Sequence, residues 1–120
     1  MRILIADDQK HARNGLAALL RATLPGAELR EAADGREAEQ AAEEFHPDLV
    51  LMDARMPREN GLEATRRIKA ALPGCHVVVL SIEPAVEPHA LAAGADAFAC
   101  KCESPDRLLA QLARLGFRPP

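Results

Sequence analysis

The stretch "LVLMDARMP", Leu49 to Pro57, decides the fold. Four apolar residues run into an aspartate, Asp53, and the segment stops a few residues later at a proline, which cannot donate to a strand ladder. A continuous apolar run of this length suits a strand covered on both faces, as in a parallel sheet. A carboxylate at its tip then needs a reason. A second segment, "RILIADDQ" from Arg2 to Gln9, ends the same way with two carboxylates, Asp7 and Asp8.

Working outward, "CHVVVLS" (75–81) and "AFACK" (97–101) are further strand candidates, and "AELREA" (27–32) alternates as an edge strand does. Helix patterns fill the gaps. Ala12, Leu16, Leu19, Leu20 and Thr23 share a face and end at Pro25-Gly26. Ala38, Ala41, Ala42 and Phe45 form a small-residue stripe stopped before Pro47. Leu62, Thr65, Ile68 and Leu72 run to Pro73-Gly74. Leu108, Leu109, Leu112 and Leu115 form the last helix, with Ser104 as N-cap and Pro105 at its first position. From Ala85 to Ala93 the helix pattern is weak, interrupted by Pro88 and closed by Gly94. An interior proline costs on the order of 3 kcal/mol, so a short or displaced fourth helix is expected. Strands alternating with helices read as one doubly wound α/β domain.

Composition narrows the function. The chain has 120 residues, 48% of them hydrophobic, and a formal charge of −3 with both signs interspersed. No basic run gives this segment a footprint for nucleic acid, and no apolar run approaches the roughly 20 residues of a membrane span. Charges interrupt the start where a signal peptide would be apolar, so a cytoplasmic location is expected. Cys75, Cys100 and Cys102 form no metal or disulfide framework. They read as buried or half-buried free thiols of a reducing compartment, with a redox switch as the weaker alternative. His11, His46, His76 and His89 lack metal-ligand spacing and read as structural or surface residues. The Arg66-Arg67-x-Lys69 run reads as a solvated helix face.

In open α/β sheets, ligands bind beyond the carboxyl ends of the strands. Those ends carry Asp7 and Asp8, Asp53, Ser81 and Lys101. Alone, each aspartate could be a helix cap or a solvated loop residue, Ser81 a strand-end hydroxyl and Lys101 a surface charge. Together they suit chemistry. Three carboxylates at one rim repel unless a cation sits among them, and oxygen ligands with few protein donors favour Mg²⁺. A carboxylate nucleophile, a cation, a lysine and a hydroxyl suit phosphoryl transfer.

"ILIADDQ", "LVLMDARMPRENGLEATRRI", "VVVLS" and "GADAFACK" resemble the response-regulator receiver domain of two-component signalling. "MPRENGLEATRRIK" with "SPDRLLAQL" is similar to its NarL/FixJ class, whose members usually carry a LuxR-type DNA-binding domain after the receiver. The resemblance implies a flavodoxin-like five-stranded parallel sheet of order 2-1-3-4-5, with residues 1–116 as receiver and 117–120 as a tail or the start of a linker. It implies Asp53 as phosphoacceptor from a sensor histidine kinase. Asp8, Asp53 and the backbone carbonyl of Arg55 would ligate Mg²⁺, with Asp7 acting through water. Ser81 and Phe98 would form the switch, and Lys101 would pair with Asp53 and then with the phosphoryl group. Met56-Pro57 and Gly61 would shape the loop after the third strand.

Such a module catalyses its own modification and is not a turnover enzyme. Homodimerisation or release of an attached DNA-binding domain would be the output, with no nucleic-acid or membrane contact by this domain. Several positions depart from the family. Bulky Ile82 follows Ser81 and could narrow access to Asp53. Phe98 stands where a tyrosine is frequent, and Cys102 follows Lys101 in place of proline. Arg55 and Glu83 flank the site. The competing readings are a degenerate receiver acting as a phosphorylation-independent interaction module and, ranked last, a phosphatase. The latter would want an acid where Arg55 stands.

Overall fold

The computed structural model describes residues 1–119. Five strands alternate with five α-helices: β1 (Arg2–Ala6), α1 (Lys10–Thr23), β2 (Glu28–Ala32), α2 (Gly35–Phe45), β3 (Leu49–Asp53), α3 (Gly61–Ala71), β4 (His76–Ser81), α4 (Glu87–Ala92), β5 (Ala97–Cys100) and α5 (Pro105–Arg114). All pairings are parallel, in the order β2-β1-β3-β4-β5. The expected fold class and strand order are both present.

The apolar runs of β1, β3 and β4 are buried because helices cover both sheet faces. Alternation along the strands splits the core in two. Leu4, Val50, Met52, Val77 and Val79 pack with α2, α3 and α4. Ile3, Ile5, Leu51, Val78 and Leu80 pack with α1 and α5. The alternating segment, β2, lies at the sheet edge as its pattern requires.

Local chemistry sets the helix ends. Asn60 caps α3, its Oδ1 accepting from the Glu63 N–H at 2.9 Å, and Asp34 caps α2 by accepting from Glu37 N–H at 2.8 Å. Ser104 occupies the N-cap position of α5, but its side chain makes no capping hydrogen bond. The fourth helix is short, as its prolines imply. Pro84 opens a 3₁₀ turn over Pro84–Val86, and α4 then runs for six residues. Pro88 does not break this helix. It lies in the first turn, where a missing N–H leaves no intrahelical bond unmade. Gly94, at φ +103°, ends it in the left-handed conformation, with Ala95 N–H reaching back to the Ala90 carbonyl at 3.1 Å.

Lys69 departs from the expected solvated face. Its ammonium lies 3.1 Å from Asp96 Oδ2 and 2.8 Å from the Cys75 carbonyl, tying α3 to the segment before β5. Arg66 and Arg67 stay exposed, paired with Glu63 and with Glu59 and Glu63 respectively. His46 ends α2 at positive φ, and His76 packs edge-on against Phe117 at 5.5 Å.

Gly61 holds the loop after β3 closed. A Cβ added there would lie 1.9 Å from the Asp53 carbonyl oxygen, and its own N–H donates to the Ala54 carbonyl at 3.0 Å. No L side chain fits that approach. Gly61→Ala is expected to lower stability by about 2–3 kcal/mol, at the upper end of overpacking costs, measured by urea denaturation against wild type.

Candidate functional site

Asp53 is the last residue of β3, and Asp7 follows directly on β1. Because β1 and β3 are hydrogen-bonded neighbours with Ala6 opposite Met52, their tips deliver both carboxylates to the same edge of the sheet. One carboxylate oxygen from each of Asp7, Asp8 and Asp53 lies within 4.8 Å of the others. Lys101, one residue past β5, completes the group. Its Nζ stands 2.7 Å from Asp7 Oδ2 and 3.2 Å from Asp53 Oδ2. The five residues expected from sequence thus come to one rim, with Ser81 at the tip of β4 between Asp53 and Lys101 in strand order.

Their environments differ. Asp7 is 1% exposed and engaged at both oxygens, Oδ2 by Lys101 and Oδ1 by the Gln9 N–H at 2.9 Å. Asp8 is exposed and makes no hydrogen bond or ion pair among the described residues. Asp53 is 8% exposed, and its Oδ1 accepts from the Arg55 N–H at 3.2 Å. Burial pushes the Asp53 carboxyl above the usual carboxylate range. Lys101 opposes that shift and Asp7 adds to it, with the net direction upward. For Lys101, burial pulls downward, but the hydrogen bond to Asp7 and the charges of Asp53 and Asp7 outweigh it, and the ammonium is held above its ordinary value.

Ser81 is buried, and its Oγ accepts from the Glu83 N–H at 3.0 Å. The hydroxyl proton therefore remains available to a ligand. Lys101 N–H donates to the Ser81 carbonyl at 2.8 Å, which couples the tips of β4 and β5. Phe98 is 7% exposed, in the core cluster that also holds Ala54, Ala90 and Cys100. Ile82 is 68% exposed. Arg55 and Glu83 form a surface ion pair joining the loops that follow β3 and β4.

The cysteines require a correction. Cys100 and Cys102 are joined by a disulfide, and only Cys75 is a free thiol. Strand alternation would place both side chains on one face, but Cys102 lies outside the strand. β5 ends at Cys100 and the chain turns, which shortens the Cα–Cα distance to 5.2 Å, below the ~6.6 Å of two extended residues. That separation lies within disulfide reach. The signal was readable as the Cys-x-Cys spacing at a strand end, but the turn was not. Cys75 matches expectation: it is buried, and burial raises its thiol pKa to about 11.

A groove of about 480 Å³ between α1 and α5, lined by Leu16, Leu19, Leu80 and Leu108, adjoins Lys101. It is apolar, so the chemistry belongs to the acidic rim. Three carboxylate oxygens this close, one carboxyl already forced upward by burial, fit a hard divalent cation.

The pH dependence follows from Asp53. A carboxyl whose folded pKa exceeds its unfolded value contributes stability at low pH, and that contribution is lost as pH rises through the folded value. With chelator present, Asp53→Asn should therefore melt above wild type at pH 7. The gap should shrink as pH falls to the ordinary carboxylate range, and millimolar Mg²⁺ should raise the melting temperature of wild type only. Melting curves across pH for both proteins test this.

The comparisons agree with this geometry. The family model described as "Response regulator receiver domain" matches residues 3–113. The chain is 39% identical over 111 residues to the transcriptional regulatory protein LnrK of Bacillus subtilis, covering 91% of this chain and 50% of that protein. It is 40% identical over 117 residues to the transcriptional activator protein ExaE of Pseudomonas putida, covering 96% and 55%. The chain thus spans about half the length of these curated relatives. Among solved structures, a LuxR-family two-component response regulator from Aurantimonas superposes with a TM-score of 0.86 at 31% identity, covering 99% of this chain and 88% of that one. With its acidic rim, 2-1-3-4-5 sheet and match over nearly its whole length, the chain belongs to the response-regulator receiver domains, among relatives that regulate transcription.

Proposed function

We propose that Asp53 is the phosphoacceptor of this receiver, taking its phosphoryl group from the phosphohistidine of a partner histidine kinase. The observation that supports this most is the convergence of one Lys101 ammonium on two carboxylates, Asp7 and Asp53, at the tip of a buried strand. In the transfer, an Asp53 carboxylate oxygen forms a bond to phosphorus. The bond from phosphorus to the kinase imidazole nitrogen breaks, and its electron pair stays on that nitrogen. Lys101 moves its charge from the carboxylate to the phosphoryl oxygens, and Ser81 donates its free hydroxyl proton to one of them. Water later cleaves the acyl phosphate and restores Asp53.

Asp8, Asp53 and the Arg55 carbonyl would hold Mg²⁺, with Asp7 acting through water and through Lys101. Bound there, the ion would offset negative charge on the transferring group. Asp7 suits an indirect role because both of its oxygens are already engaged, whereas Asp8 has no partner among the described residues.

The product is a conformational state, so the domain is a switch and not a turnover enzyme. Drawing Ser81 toward the phosphoryl group would shift the β4–β5 tips, which share the Lys101–Ser81 bond, and with them Phe98 and the short α4. Residues 1–116 form the receiver in this reading, and 117–120 a tail or the start of a linker; Pro120 lies outside the described residues. The output is a DNA-binding domain beyond this segment, reached by dimerisation or by release, in a cytoplasmic regulator. The relatives' length and regulatory names support that output. No described helix is long and apolar enough to cross a membrane.

Incubation with acetyl phosphate and Mg²⁺ should add the mass of one phosphoryl group to wild type and none to Asp53→Asn. Lys101→Ala should slow the addition on the order of 100-fold, the scale for losing one donor to the developing charge. If wild type stays unmodified, and beryllofluoride with Mg²⁺ leaves its NMR spectrum unchanged, a phosphorylation-independent interaction module replaces this reading.

A further inference from the structure

Lys101 is the middle residue of a small ring closed by the Cys100–Cys102 disulfide. The two sulfurs differ in setting. Cys100 is 8% exposed, ends β5 opposite Ser81, and belongs to the core cluster with Phe98 and Ala90. Cys102 is exposed on the turn beyond Lys101. Cys75, the remaining thiol, is buried ahead of β4 at the opposite end of the sheet, with a pKa raised to about 11, so it is not a competing partner. The chain thus presents one sulfur on an exposed residue that follows Lys101 in sequence, and one sheltered sulfur bonded to it. This is the arrangement of a reactive thiol with its resolving partner.

We propose that Cys100 and Cys102 form a reversible dithiol–disulfide pair whose oxidation holds Lys101 on Asp7 and Asp53, making the site responsive to peroxide. The effect on phosphoryl transfer rests on the reading of Lys101 and Asp53 given above; the effect on the position of Lys101 does not. In the oxidation, the Cys102 thiolate attacks hydrogen peroxide. The O–O bond breaks, hydroxide leaves and takes up a proton to become water, and Cys102 becomes a sulfenic acid. The Cys100 sulfur then attacks the Cys102 sulfur, the S–O bond breaks, and a second water leaves. Two thiols lose two electrons in all, and one peroxide becomes two waters. A dithiol reductant reverses the change by exchange, itself becoming the disulfide.

The coupling to Lys101 is geometric. Its backbone N–H is anchored to the Ser81 carbonyl at 2.8 Å, and the preceding residue is fixed in the sheet and core. On the far side, the turn is held by the Glu103 N–H to Cys100 carbonyl bond at 3.1 Å, by the Cys102 N–H donating to Cys100 Sγ at 3.3 Å, and by the disulfide. Reduction removes the covalent link and leaves only hydrogen bonds across the turn. The backbone that aims the Lys101 side chain into the acidic pair then gains freedom on its C-terminal side. In a reducing compartment, disulfides that form are usually transient and redox-sensing, so oxidation would mark a signal.

The test uses the 120-residue chain after peroxide treatment, after dithiol reduction, and as Cys102→Ser, whose substitution falls at an exposed position. Peptide mapping locates the disulfide. Trace acetylation with acetic anhydride reads the Lys101 amine against exposed Lys10 as internal reference. Acetyl phosphate with Mg²⁺ reads phosphoryl uptake by intact mass. The expected result is a mapped Cys100–Cys102 bond, several-fold slower acetylation of Lys101 in the oxidised form, and uptake roughly tenfold faster. That is less than the ~100-fold that misplacing a catalytic group by an ångström can cost. Cys102→Ser should behave as reduced protein whatever the oxidant. Absence of the mapped bond, or equal Lys101 acetylation in both forms, overturns the proposal. Slower acetylation with equal uptake overturns its functional half. Slower acetylation with no uptake in any form upholds the redox control of Lys101 and overturns instead the phosphoacceptor reading.

Discussion

The register of three buried parallel strands is the constraint on which the rest of this molecule depends. Ala6 sits opposite Met52, and Asp53 opposite Leu80, so Asp7 comes level with Asp53 and Ser81 lies one residue beyond. With helices on both faces, a one-residue slip would exchange the two core clusters and bury polar positions. Packing thus places Asp7, Asp53 and Ser81 side by side, and the hydrophobic core meets the cost of holding like charges together.

That cost is visible at the rim. Asp53 is pushed upward by burial and by Asp7, and Lys101, helped by the Arg55 N–H, offsets this only in part. Lys101 in turn remains charged despite its own burial, because two carboxylates face it. The result is a preorganised but under-neutralised pocket, poised for further positive charge or for a group that redistributes what is there. Asp8, exposed and without a hydrogen bond or ion pair among the described residues, lies at its solvent side.

Around this rigid base the connecting segments are closed by specific local devices. Gly61 allows the β3–α3 loop to fold onto the Asp53 carbonyl. The Arg55–Glu83 ion pair joins two loops beside the site. The Cys100–Cys102 bond brackets Lys101. The face bearing α4 is built more lightly, from a 3₁₀ turn and six helical residues. An element so short has few backbone bonds to lose.

The apolar runs, their alternation with helix patterns, and the polar residue at each strand tip were legible in the sequence. Periodicity reports burial directly, and a parallel sheet leaves its functional groups at strand ends. Fold class, strand order, the short fourth helix and the membership of the acidic rim followed from that, together with the family resemblance. Three features did not, because each depends on how the chain turns. Pro88 looked like an interruption, yet it opens a helix once the preceding residues take a 3₁₀ path. Lys69 looked solvated by its neighbours, yet Asp96, distant in sequence, lies against it. Cys100 and Cys102 looked like free thiols, since strand spacing alone leaves them apart. The chain reversal at Lys101, set by the Ser81 and Cys100 carbonyls, brings them into bonding distance. Local pattern determines which residues are buried and where strands end. Which groups then meet is decided by non-local backbone hydrogen bonds and packing, and one chain segment read alone does not contain them.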